Sequence, residues 1–137
     1  MRRLYILGLV VLAGCGSDRS EKLPAACVQG PGAFVKALAK APGAVTLDGT
    51  PISRCFNRDA GGQDEQILGT NLVAAAQQLA DRRQTLQLGY LVGAARRGAK
   101  RNGLAAELVR RLQQEPTEAV VHSAAYKRGL RAGLNTG

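Results

Sequence analysis

One side chain in this sequence ordinarily titrates near neutrality, His122, and with Tyr90 and Tyr126 it could line a pocket for a small ligand or for a hydrolytic reaction at an unfamiliar site. Helical spacing places His122 with Tyr126 and Leu130 on the apolar side of its segment, the position of a core histidine. Nucleophile and phosphate motifs are missing: no serine stands in a Gly-x-Ser-x-Gly setting, and there is no phosphate-binding glycine loop and no His-Glu-x-x-His pair. The sequence therefore carries no catalytic assignment. Asp59, Asp64 and Glu65 raise the question of calcium, but counting from Asn57 the twelfth position is Leu68, where an EF-hand needs a glutamate. A loop followed by a negatively charged helix start accounts for them, so no metal and no cofactor is expected.

The other side chains that could do chemistry are basic. Arg96, Arg97, Lys100 and Arg101 cluster in one segment, and Lys127, Arg128 and Arg131 in another. Guanidinium groups bind phosphate or carboxylate bidentately, and Tyr90 beside Arg97 adds a stacking surface. Such clusters are either the solvated sides of two helices or, if those helices are neighbours, one anion-binding face. The partners that fit are anionic lipid headgroups, a cell-wall polymer or an acidic protein.

These residues must be positioned by helices. Pro31 starts a short one with Phe34, Val35 and Leu38 on one side, and Pro42-Gly43 ends it. Residues 44–47 and 51–56 flank Asp48-Gly49-Thr50 as a short β-hairpin, with Cys55 on its second strand. Ile67, Leu68, Leu72, Val73, Ala76 and Leu79 recur at helical spacing and predict a helix over 64–84. Over 87–101, Leu88, Leu91, Val92, Ala95 and Ala99 share one arc, while Tyr90 and the basic residues take the opposite side. A helix over 104–114 aligns Leu104, Leu108 and Leu112, and Pro116 breaks it. The last helix is expected over 118–132, capped by Thr117, with Lys127, Arg128 and Arg131 on its far side. Gly89 and Gly93 stand four apart, as do Gly129 and Gly133, a spacing that lets backbones approach closely. Tyr90 precedes Gly93 by three residues and Tyr126 precedes Gly129 by three, a likeness read as coincidence.

The beginning of the chain carries different chemistry. After Met1, Arg2 and Arg3, residues 4–12 hold no charge, and only Gly8 interrupts their apolar run. A positive start followed by an apolar stretch too short to span a bilayer, which takes about 20 residues, is the pattern of a secretion signal. The run ends Leu12-Ala13-Gly14-Cys15, which resembles the lipobox of bacterial lipoproteins: an aliphatic residue, two small residues and a cysteine. The resemblance covers residues 1–15 only, and the rest of the chain resembles no characterised family. It implies removal of residues 1–14 and lipid attachment at Cys15, a diacylglyceryl thioether on the thiol and a fatty acyl chain such as palmitate on the new amino group. Two or three acyl chains anchor stably where one does not. The protein is then held on the outer face of the plasma membrane, or in the outer membrane of a diderm source, where Gly16 and Ser17 replace the aspartate that signals inner-membrane retention. That address makes nucleic acid a poor partner.

The anchor also makes sense of the cysteine count. Three is odd for a secreted chain, but with Cys15 lipidated the remainder, Cys27 and Cys55, is a pair suited to a disulfide. Residues 15–24 read as lipidated cysteine and polar tether, and the nine residues after Cys15 reach at most about 30 Å. Residues 25–137 are long enough for a single domain. Charge divides unevenly within the mature chain: six Lys or Arg against seven Asp or Glu before Arg82, eleven against three from Arg82 onward. The sequence thus predicts a mainly α fold of about five helices with a short hairpin near 44–56 and a Cys27–Cys55 bridge. Its leading functional expectation is a membrane-anchored, non-enzymatic binding module whose basic face meets an anionic surface. The alternative is a ligand carrier or hydrolase built around Tyr90, His122 and Tyr126, which requires a cleft where the first reading requires a closed core.

Overall fold

The computed structural model describes residues 22–56, 62–99 and 103–137. The lipobox with Cys15 lies outside the described residues, as do Asp59, Lys100 and Arg101. A 3₁₀ turn at Ala25–Val28 leads into helix α1, Pro31–Leu38, with proline at the first helical position where its missing N–H costs nothing. Strands β1, Thr46–Leu47, and β2, Thr50–Pro51, pair antiparallel, with Thr46 opposite Pro51 and Leu47 opposite Thr50. Asp48 and Gly49 make the two-residue turn at φ 47 and 80, the left-handed pair that an Asp-Gly hairpin favours.

The second strand is shorter than the sequence implies and does not carry Cys55. Pro51 has no N–H to continue the ladder, and the chain turns into a 3₁₀ helix over Ile52–Cys55. That turn brings Cys55 onto Cys27, and the two are joined by a disulfide with Cα atoms 5.6 Å apart. Both cysteines are buried.

Helix α2, Gln63–Asp81, buries Leu68, Leu72, Ala75, Ala76 and Leu79 and holds Asp64 and Glu65 in its first turn. Its end is set by Arg83, at φ 55. The Arg83 N–H bonds the Ala80 carbonyl at 2.9 Å and the Gln84 N–H bonds the Leu79 carbonyl at 2.8 Å, a Schellman closure without its usual glycine. Helices α3, Thr85–Gly98, and α4, Gly103–Gln114, follow. The expected last helix is two: α5, Glu118–His122, and α6, Ala124–Thr136. Between them Ser123 is extended, and its hydroxyl accepts the Tyr126 N–H at 3.2 Å while donating to the Val120 carbonyl at 2.6 Å. Serine caps one helix as it closes the other.

α3 is the centre of the fold. Every residue from Leu88 to Ala95 is buried, so the helix is not two-sided as its apolar arc implies. Leu88, Leu91 and Val92 enter the core with Phe34, Leu38, Val45, Ile52, Phe56, Leu72, Leu79 and Leu112. The opposite side is covered by α6, which runs parallel to α3. A Cβ on Gly89 would strike the Tyr126 carbonyl, and one on Gly93 the Leu130 carbonyl. Reciprocally, a Cβ on Gly129 would strike the Leu86 carbonyl and one on Gly133 the Tyr90 carbonyl. Each glycine thus faces the carbonyl three residues ahead of its counterpart, and the two helices are related by a local pseudo-twofold. The resemblance between the two glycine segments is this symmetry rather than coincidence.

Candidate functional site

The structure separates the three side chains that could have formed a pocket. Tyr90 is fully buried, and its hydroxyl accepts the Val45 N–H at 3.0 Å and lies 3.0 Å from the Thr136 hydroxyl. It is a structural cross-brace between the hairpin region and α6. Tyr126 is also buried, 4% exposed, and desolvation raises its phenol above the ordinary value, with Arg96 opposing. His122 points to solvent, with 69% of its side chain exposed and Nε2 3.9 Å from Glu118 Oε1. Its expected core position is overturned because the break at Ser123 resets the helical phase, so His122 no longer shares a face with Tyr126.

Two open surface grooves occur among the described residues, and neither contains those three side chains. One of about 690 Å³ lies between α2 and α4, lined by Glu65, Thr70, Val73, Leu108 and Arg111 among others. The second, about 500 Å³, lies between α1 and the hairpin and includes Lys36, Lys40 and Asp48. No group of three His, Cys, Asp or Glu side chains among the described residues is placed to hold a metal ion. No described helix is long and apolar enough to cross a membrane.

The basic residues are brought together in part. Direct packing of α6 on α3 makes the two helices neighbours, the condition for their charges to merge. Arg97, at the last turn of α3, reaches across to the end of α6, where Nη1 donates to the Leu134 carbonyl at 2.9 Å and also to the Asn135 carbonyl. A guanidinium there meets carbonyls that no helical N–H satisfies and the negative end of the helix dipole. Arg97 is therefore occupied in fixing α6, whereas Arg96 is exposed and forms no ion pair with a described residue. On α6, the glycines and Tyr126 face inward and Lys127, Arg128 and Arg131 are all exposed. None of these three forms an ion pair with a described residue, and neither α3 nor α6 contains an acidic residue.

The contrast with α4 is direct. Its arginines Arg110 and Arg111 both bond Glu107, at 2.7 and 2.8 Å for Arg110 and 3.1 Å for Arg111. Their donated hydrogen bonds hold the Glu107 carboxyl down at about 2. Three exposed cations without an ion pair among the described residues thus share the outer side of α6, with Arg82 and Arg83 after α2 and Arg96 on α3 likewise exposed. Compared with protein-family models, curated proteins and solved structures, the chain matches none. Sequence reasoning missed Arg97's capping role, because it depends on a parallel partner helix ending beside it, and only the matched glycine spacings hinted at such a partner.

Proposed function

We propose that this chain is a bacterial envelope lipoprotein, anchored by lipid on Cys15, whose domain is a non-enzymatic module presenting a basic surface to an anionic one. The observation that carries the proposal is the outer side of α6: Lys127, Arg128 and Arg131 are exposed and unpaired among the described residues on a helix without a single acid, while Arg97 is built into the fold and Arg110 and Arg111 share Glu107. Solvated cations on a stable fold need no such segregation, and segregation by sign is what draws a protein to a surface of opposite charge. The buried positions of Tyr90 and Tyr126 support a binding module over a ligand carrier or hydrolase, since neither side chain opens to a cleft.

Two measurements test the parts separately. Growth with labelled palmitate should mark the chain and leave a Cys15→Ser variant unmarked; label on the variant, or none on the parent, overturns the anchor. A chain starting at Lys22 retains the whole described core and should co-sediment with anionic vesicles but not with neutral ones at low salt, releasing as salt rises. Equal binding to both vesicle types, or to neither vesicles nor anionic wall polymer, would refute the basic-surface reading.

A further inference from the structure

We infer that the groove between α1 and β1 binds an extended acidic peptide of a partner protein, which adds a strand to the free edge of β1 and sets a carboxylate between Lys36 and Lys40. None of the residues lining this groove belongs to α6. The inference therefore concerns a second surface and holds whether or not α6 meets an anionic one.

The free edge follows from the hairpin. A two-residue turn makes the residues flanking it, Leu47 and Thr50, the pair that exchanges backbone hydrogen bonds, so the next pair, Thr46 opposite Pro51, is the one that does not. The N–H and C=O of Thr46 are then turned away from β2, and neither meets a partner among the described residues. The groove lies on that side, since its lining includes β1 and the turn but no residue of β2. An unpaired edge is a template for another strand, and an extended peptide that pairs with it gains main-chain hydrogen bonds.

The opposite wall is a single stripe of α1 and the turn after it: Ala33, Lys36, Ala37 and Lys40, at i, i+3, i+4 and i+7. The two alanines are too short to fill the space to β1, and about 500 Å³ stays open, within the range of about 300–1,000 Å³ that ligand clefts have. Ala33 to Lys40 measures about 10 Å along the helix, the length of about three residues of extended chain.

Charge selects the occupant. Lys36 and Lys40 are exposed and form no ion pair with a described residue, and α1 contains no acid. Asp48, the acid in the groove lining, accepts the Gln29 amide at 2.6 Å and is occupied there. Two unpaired cations one helical turn apart favour a carboxylate between them. Headgroup phosphates could satisfy the lysines but not the strand edge, whereas an acidic peptide satisfies both.

The probe is a pool of nonapeptides with glutamate at every second position and alanine, serine, threonine or valine between, added to the isotope-labelled chain from Lys22, whose core is complete. Saturable amide shifts are expected at Ala33, Lys36, Lys40 and Thr46, and Lys127→Gln, Arg128→Gln and Arg131→Gln together should leave them in place. Methylating one alternate set of peptide nitrogens should abolish the Thr46 shift and methylating the other should preserve it, because only one edge of the added strand faces β1. Lysine in place of glutamate should prevent binding. Lys36→Gln with Lys40→Gln should weaken it about threefold to tenfold. Ala37→Phe, which fills the groove, should abolish binding with far-UV circular dichroism unchanged; Ala33→Leu takes its place if helicity falls. No shift at Thr46, equal effects of the two methylated sets, or shifts that vanish with the α6 cations overturns the inference. Tighter binding after loss of the two lysines does so as well, since that is the sign expected of cations that only guard an edge. If the groove fails these tests while the chain still prefers anionic vesicles, the basic surface stands without it.

Discussion

A single methyl group at Gly129 probes the contact on which the fold turns. Replacing glycine by alanine inside an unobstructed helix stabilises by about 1 kcal/mol, because glycine has more chain entropy to lose. At Gly129 the added Cβ would stand 2.9 Å from both the Leu86 carbonyl carbon and the Tyr90 nitrogen, and nearer still to the Leu86 carbonyl oxygen. Carbon contacts relax only at about 3.5–4.0 Å, so α3 and α6 must separate by roughly 1 Å, and both partners are helix backbone that cannot rotate away. Overpacking costs about 1–3 kcal/mol, and with backbone on both sides the upper part of that range, about 2–3, applies; it exceeds the propensity gain and leaves a net loss of about 1–2 kcal/mol for Gly129→Ala. Gly89→Ala meets the pseudo-symmetric obstruction and should lose a similar amount. Because either methyl pushes the same two helices apart, the double variant should lose clearly less than the two losses added, with a coupling on the order of 1 kcal/mol. Gly32→Ala on α1 is the control: nothing lies within 4 Å of its Cβ position, and stability should hold or rise. Guanidinium unfolding followed by far-UV circular dichroism on the chain from Lys22 measures all four. A Gly129→Ala variant as stable as the parent, or more so, or losses that simply add, would refute the packing argument.

Other consequences can be checked on the same protein. Tyr90→Phe strips the buried Val45 N–H of its acceptor, and unfolding should show a loss of about 1–3 kcal/mol; an unchanged midpoint would mean that the brace carries no stability. Glu107, held at about 2 against an ordinary 4.5, stabilises α4 fully above the ordinary value and loses that contribution as pH falls through about 2. A carboxyl titration by NMR should place its midpoint far below the ordinary 4.5, and a midpoint at the ordinary value would remove the hydrogen-bonded pairing with Arg110 and Arg111. Replacing Cys27 and Cys55 together by alanine frees a loop of 28 residues' separation and should cost about 3–4 kcal/mol on the chain-entropy account; a thiol assay on the unreduced chain from Lys22 should find no free cysteine.

The mainly helical class, the hairpin turn and the Cys27–Cys55 bridge were legible because each rests on local signals or on counting. Asp48-Gly49 dictates a two-residue turn wherever it falls between extended segments, and α2 declares itself through Leu68, Leu72, Ala76 and Leu79. What was not legible depends on residues far apart in sequence. The end of α2 is made by Arg83 in a left-handed conformation, which nothing about an arginine announces. The break at Ser123 hides inside a run whose apolar spacing continues through Val120, Val121 and Tyr126, and it moved His122 from the expected core to solvent. Tyr90 was expected beside the arginines on an open side, yet α6 covers that side, and its hydroxyl finds partners 45 and 46 residues away. Of the basic face, Lys127, Arg128 and Arg131 were placed outward from sequence alone, since only the phase of one helix was needed.

The repeated four-residue spacing of the glycines on α3 and α6 has a drawback of its own. A zipper with a uniform pitch reads almost the same after sliding by one turn, about 5.4 Å, since Gly93 would then take the place of Gly89 against the same carbonyl. Smooth backbone surfaces cannot by themselves choose between those alignments. The choice falls to the contacts that do not repeat: the Tyr90 hydroxyl on Thr136, Arg97 on the last carbonyls of α6, and the Ser53 hydroxyl on the Gly137 carbonyl at 2.5 Å. All three cluster at the far end of the pair, so they act as a stop against which α6 seats. Close approach is supplied by the glycines, and a single register by three polar groups that have no counterpart one turn away.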